Sequence, residues 1–333
     1  MKMNISRRHF LAGSLLGAAA VGLTACGSGG GATPSGPSRT IVDVEGTEVL
    51  VPENPVRIVT LSEPTLDGLL ALGVVPVGTV TGRGQSTVSS YLLDRAGDIP
   101  LLGAVSQPNF EAIGEAQPDL ILVDGTSINN NPPAIETLRQ IAPTVYTGYA
   151  GGDWRDNLRL VADSMNLAAQ GEEVISTFEN DATGLRDELA GPYGESTFSI
   201  IRWQGNAPSL ILKELPAGRV LEEVGLRRPE SQDRFGRGHS EPVSVENINT
   251  IDADYMFFGT LGGSSVSNPD AGGSADIAGA SDALAQAAEV PGFTDLQCFQ
   301  NDAIIPVDGA AWTSTGGPLL AHKILDDIRS NLL

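Results

Sequence analysis

Histidine and cysteine are almost missing from this chain. Three histidines, His9, His239 and His322, sit at unrelated positions, and they cannot supply the multi-histidine cluster of a zinc or manganese site. The only cysteines are Cys26 and Cys298. No GxSxG elbow, P-loop or helix-opening GxGxxG is present, so a nucleophilic hydrolase, a P-loop enzyme and a dinucleotide enzyme all lack their signatures. A secreted hydrolase using an Asp/Glu pair finds no matched nucleophile and base. Basic residues are scarce: 20 Lys and Arg stand against 41 Asp and Glu. A nucleic acid, bound by neutralising phosphates, is therefore excluded as a partner. Aromatic residues make up 5%, so each exposed one is a candidate ligand contact. No long apolar run follows the first thirty residues.

The first segment places Lys2, Arg7 and Arg8 before an apolar run from Phe10 to Leu23 and then small residues, the order of an export signal over residues 1–25. The run SRRHFL resembles a twin-arginine motif. Leu23 to Cys26, LTAC, resembles a lipobox whose cysteine is acylated. Residues 26–38 are rich in Gly, Ser and Pro, the composition of a flexible tether. With Cys26 acylated no internal disulfide forms, and Cys298 reads as a small buried hydrophobe.

The stretch from Asp153 to Ala190 carries the longest helical pattern. Trp154, Leu158, Val161 and Met165 share one apolar face; Val174, Phe178, Ala182, Leu185 and Leu189 share another. These are two amphipathic helices, with Asp153 as N-cap, Asn166 as a left-handed stop, and Gly191-Pro192 as the end of the second. Before this spine, a hairpin around Glu45-Gly46 precedes strands at Arg57–Leu61, Val77–Val80, Leu120–Val123 and Ala142–Tyr146, with helices at Thr65–Leu72 and Glu111–Ala116. After it come strands at Phe198–Trp203 and Leu210–Lys213, a helix at Ala217–Leu226, the strand AIIPVD, a loop GAAWTSTGG and a helix from Pro318. Strands alternating with helices in this way predict an α/β fold of parallel sheets. NFEAIGEAQPDLILVDG and VSVENINTIDADYMFFG match at an offset of 135 residues, pairing Glu111 with Glu246, Ile113 with Ile248 and Asp119 with Asp254. The two halves therefore read as variants of one lobe. Two long loops, residues 227–242 and 261–280, interrupt the second half.

Binding is easier to build than catalysis. Trp203, Trp312, Tyr149 and Trp154 fall near predicted strand ends or in loops, where ligands sit in open α/β sheets. Arg202 adjoins Trp203, and Arg83 follows the strand ending at Val80. Seven of the basic residues lie between Arg202 and Arg237, a concentration suited to an anionic or oxygen-rich ligand. Trp312 sits in a Gly- and Thr-rich loop with few apolar neighbours in sequence, which favours a ligand contact; for Trp203 a core position is an equal reading. His239 reads as a solvated loop residue or a ligand to metal or haem, and His322 as a packing or surface residue of the last helix.

The blocks RIVTLSEPTLDGLLALGVVPVGT, NFEAIGEAQPDLILVDG, VSVENINTIDADYMFFG and NDAIIPVDGAAWTSTGGPLLAHKILDDI, in this order, resemble the helical-backbone class of substrate-binding lipoproteins of ABC importers, in particular the iron-siderophore branch. The resemblance implies two Rossmann-like lobes with mainly parallel sheets, residues 39–169 and 192–333, joined by a backbone helix over residues 170–191. It further implies a lipid-anchored monomer on the outer face of the cell membrane, without intrinsic cofactor or resident metal. Its transported ligand would be a ferric siderophore of hydroxamate or mixed type, with haem or a corrinoid as the alternative. Ligand contacts fall to Arg83, Arg202, Trp203, Trp312, Tyr149 and Arg237. Glu111 and Glu246 would dock onto arginines of the permease; read from the residues alone, they are ordinary glutamates at helix N-termini.

Overall fold

The computed structural model describes residues 32–128, 131–236, 238–262 and 273–333. The signal segment, Cys26, Arg237 and residues 263–272 of the loop 261–280 lie outside the described residues.

In the first lobe a hairpin of β1 (Ser38–Val42) and β2 (Glu48–Pro52) lies against the sheet. The sheet itself contains β3 (Ile58–Thr60), β4 (Thr79–Thr81), β5 (Leu101–Ala104), β6 (Gln107–Pro108), β7 (Leu120–Val123) and β8 (Thr144–Tyr146). β3, β7 and β8 pair in parallel, as do β4 and β5, and a bridge from Val59 to Gly78 joins the two ladders. All four residues of β7 are buried. Helices cover both faces of a parallel sheet, so its inner strands become unbroken apolar runs, as LILV is here.

The second lobe is a mixed sheet in the order β11-β10-β9-β12-β13. Its strands are β9 (Phe198–Gln204), β10 (Ala207–Leu210), β11 (Glu241–Pro242), β12 (Tyr255–Thr260) and β13 (Ile304–Pro306). The parallel core β9-β12-β13 carries β10 and β11 antiparallel at one edge. The predicted strand Leu210–Lys213 is thus displaced. The tight turn at Gly205, where φ is +60°, pairs Gln204 with Ala207 and starts the strand at once. Ile211 and Leu212 then leave the sheet to fill two different core clusters.

The repeated blocks perform the same task in each lobe. Asp119 accepts from the backbone N–H of Val56 and Arg57, at 2.9 Å each, just ahead of β3. Asp254 accepts from the backbone N–H and the hydroxyl of Thr197, at 2.8 Å each, just ahead of β9. Each carboxylate, one residue before its own strand, satisfies the orphan donors where the neighbouring strand begins.

The spine is a helix Trp154–Ser164, capped by Asp153, and a 26-residue helix Ala168–Tyr193. Asn166 holds φ +59° between them, as its sequence position implied. The second helix runs through Pro192, contrary to the expected stop at Gly191-Pro192. A proline there removes only one N–H bond, to the carbonyl four residues back, and the helix closes one residue later. Trp154 and Leu158 of the first helix pack into the core of the second lobe, while Val161 and Met165 pack into that of the first. The lobes also meet elsewhere: Asp67, in the helix Glu63–Ala71, accepts from the backbone N–H of Leu319 and Leu320, opening the C-terminal helix Pro318–Leu332.

Arg155 ties three elements together. It forms a two-pronged bond to Glu223 at 3.0 Å, donates to Glu179 of the 26-residue helix at 3.1 Å, and stacks over Trp154 at 4.6 Å. Such partly buried, charge-assisted bonds contribute about 2 kcal/mol in all once screening is allowed for. Arg155→Ala is expected to lower unfolding stability by about that much in chemical denaturation. An unchanged midpoint would show that the junction is held by packing alone.

Candidate binding cleft

The C-terminal ends of the parallel strands in both lobes converge on one cleft, the usual place for a ligand in open α/β sheets. β4 ends at Thr81 and delivers Arg83; β9 carries Arg202 near its end. Arg83 donates to the carbonyl of Thr126 at 3.3 Å, and its own backbone N–H donates to Glu63 Oε1 at 2.7 Å. Arg202, 9% exposed, donates to the carbonyl of Thr313 at 3.2 Å and to the hydroxyl of Ser240. The Nε atom of each guanidinium is buried without a partner. Among the described residues, neither arginine has a carboxylate within ion-pair distance. Burial, and next the charge of Arg83, push Arg202 down to about 10. His239 is pushed down to about 4 by burial, then by Arg83 and Arg202, so its imidazole is neutral at physiological pH. Two cations from opposite lobes with free donors have the chemistry to hold anionic oxygen atoms.

Below the arginines the cleft is acidic. Glu63, Asp124 and Glu214 are 3%, 2% and 5% exposed. Burial raises the pKa of Glu63 against the opposing pull of Arg83. Burial also lifts Asp124 to about 7, against hydrogen bonds from Ser62 and Thr126, and the nearby Glu63 adds to the rise. The backbone of the two lobes touches at the rim: a Cβ on Gly84, where φ is +70°, would stand 2.4 Å from the carbonyl oxygen of Gly262.

Of the residues singled out from sequence, Arg83, Arg202 and His239 come together. His239 is half-buried between two guanidiniums and so is not the solvated loop residue expected. Tyr149 lines the cleft floor, 47% exposed. The two tryptophans do not face the cleft. Trp203 is stacked on Phe258 and edge-on to Phe293, and its indole N–H donates to Gly205 at 3.0 Å. Trp312 lies 4.1 Å from the ring of Phe257 and donates to Asp327 at 2.9 Å. The loop expected around it is a helical turn, Gly309–Trp312, capped by Asp308. Its apolar neighbours come from β12 and the C-terminal helix, which local sequence does not reveal. His322 packs edge-on to Phe178, and Cys298 is fully buried with its thiol pushed up to about 12, first by burial. Glu111 and Glu246 are exposed on the opening turns of the helices Phe110–Glu115 and Val245–Ile251. Glu63, Asp124 and Glu214 were missed. Asp124 had a signal, a carboxylate directly ending the apolar strand LILV; Glu63 and Glu214 had none.

A cleft between two α/β lobes, with charged groups from both, is the architecture of a solute receptor. The chain belongs to the periplasmic binding protein family, whose model matches residues 58–307. It is 31% identical over 305 residues to the probable siderophore-binding lipoprotein YfiY of Bacillus subtilis, covering 90% of this chain and 89% of that protein. It is 24% identical to the achromobactin-binding periplasmic protein of Dickeya dadantii, covering 82% and 85%. The structure of Staphylococcus aureus SirA complexed with staphyloferrin B superposes with a TM-score of 0.72 at 21% identity, covering 88% of this chain and 98% of that one. The α/β architecture with two lobes is therefore that of siderophore receptors.

Asp124 carries a testable pH dependence. Its folded pKa lies above that of an unfolded aspartate, so its contribution is complete below about pH 4 and is lost as pH rises towards about 7. Asp124→Asn is expected to flatten the decline of Tm across that window. An identical slope in the variant would place the titrating group elsewhere.

Proposed function

We propose that this chain is an exported, lipid-anchored receptor that captures a ferric siderophore of hydroxamate or mixed type in the interlobe cleft and delivers it to an ABC permease. One observation carries the reading: the unpaired guanidiniums of Arg83 and Arg202 face each other from opposite lobes. A ferric chelate surrounds its metal with oxygen atoms that bear negative charge, and binding it removes the repulsion between the arginines. Iron stays with its chelator, so the protein needs no multi-histidine site of its own. The names of the relatives, for siderophores, ferric citrate and achromobactin, point the same way. Contacts are assigned to Arg83, Arg202 and Tyr149, with Arg237 retained as a candidate; Trp203 and Trp312 are left to the core. Cys26 would carry the lipid, and the receptor would act as a monomer.

Arg83→Ala and Arg202→Ala are each expected to weaken binding at least about tenfold, the loss of one charge-assisted contact. Equilibrium dialysis with ferric aerobactin, ferrioxamine B and ferric citrate measures it. Failure of the unsubstituted receptor to retain any ferric chelate would sink the reading.

Glu111 and Glu246, exposed at equivalent positions of the two repeated blocks, are assigned to permease docking. The double variant Glu111→Arg, Glu246→Arg is expected to bind iron chelate normally and to abolish its uptake by cells. Undiminished uptake would remove both glutamates from the docking surface. Cys26→Ala is expected to release the receptor into the medium, and its retention at the membrane would contradict the anchor.

A further inference from the structure

The floor of the cleft, where the spine meets the second lobe, encloses a cavity of about 30 Å³. Four polar atoms on its lining residues are buried and have no partner in the protein: Trp154 Nε1, Asn157 Oδ1, Glu214 Oε1 and Thr315 Oγ1. All four residues are more than nine-tenths buried. Trp154 and Asn157 belong to the first spine helix, whereas Glu214 and Thr315 come from the second lobe, so the cavity lies on the seam between them. A buried polar group left without a partner costs about 1–3 kcal/mol, and four on residues lining one cavity call for partners there.

The surrounding bonds fix which atoms are free. The Thr147 hydroxyl donates to the carbonyl of Val123 at 3.2 Å, so it can only accept from Asn157, 3.0 Å away. That contact must therefore be the Asn157 N–H, which leaves its carbonyl oxygen unused. Glu214 accepts from Gly236 through Oε2 at 2.7 Å, leaving Oε1 for the cavity. The indole of Trp154 can only donate. The cavity thus presents one fixed donor, two fixed acceptors and a hydroxyl that adapts.

This set excludes the charged end groups of small molecules. An ammonium has no lone pair for the Trp154 N–H, and a carboxylate has no proton for Asn157 and meets Glu214 with like charge. A water satisfies all partners at once, accepting from Trp154 while donating to Glu214 and Asn157; a ligand hydroxyl accepts from Trp154 and donates to one of the two acceptors, leaving the Thr315 hydroxyl to serve the other. The volume suits one or two atoms of that size. We infer that the cleft floor is a neutral O–H subsite bridging the spine and the second lobe, filled by water in the free receptor or by a hydroxyl of the captured molecule. The second source rests on the proposed ligand class.

The protein has three tryptophans, and two of their indole N–H groups are bonded internally, to Gly205 and Asp327. In the intact receptor labelled with 15N-tryptophan, Trp154→Phe identifies the third indole resonance. The expected result is a persistent water cross-peak at Trp154 alone, shifted in Glu214→Gln and unchanged in Glu111→Gln. Adding the diamagnetic gallium(III) complexes of aerobactin, desferrioxamine B or citrate, once dialysis has shown them bound, separates the two sources: loss of the cross-peak assigns the subsite to a ligand hydroxyl, and retention assigns it to water. Absence of the cross-peak from Trp154 in the free receptor would overturn the subsite. Because this is read before any iron chelate is added, failure of siderophore binding would leave it standing.

Discussion

Two like charges are held near enough to repel each other, one of them buried, and the architecture keeps them there. Left to themselves, the guanidiniums of Arg83 and Arg202 would separate into water, since repulsion grows as the dielectric falls. They are prevented by what lies behind them. Arg83 is fixed by its backbone N–H on a buried glutamate, and Arg202 lies within a fully paired strand, held by Thr313 and Ser240 with its Nε–H still free. The free receptor therefore carries an electrostatic cost that the proposed anionic ligand would relieve, and in that sense the proposed site is preorganised.

The stiffness needed for this comes from the junction of the lobes. One helix of the spine divides its apolar face between two cores, Arg155 bonds outward to the other spine helix and to the second lobe, and Asp67 reaches across to open the last helix. Helical backbone resists bending because each turn is locked to the one before. The junction thus resembles a packed interior more than a hinge strung on flexible strands.

Sequence revealed this frame through periodicity and punctuation. The amphipathic faces of the spine, its cap at Asp153 and its left-handed stop at Asn166 are all local signals, and the paired aspartates at 119 and 254 stood out because the blocks repeat. The proposed binding surface was only half legible. Arg83 and Arg202 showed themselves as cations at strand ends. Trp203 and Trp312 misled because the rings that bury them, Phe258, Phe293 and Phe257, are distant in the chain. Glu63 and Glu214 stayed hidden for the converse reason, since acidic residues are common in this chain and only tertiary contact distinguishes these two.

The meeting of Gly84 with Gly262 has a consequence for the spacing of the lobes. Main chain rests on main chain at that point, so the aperture there is set at its minimum by two residues without side chains. A methyl group on Gly262 would meet the carbonyl oxygens of Gly84 and Gly273 at 2.9 Å, and one on Gly84 would add the strain of a left-handed backbone, so either would force the two main chains apart. Bulk added at these two positions would therefore change the spacing of the lobes where they touch, with Arg83 and Arg202 left unaltered in sequence.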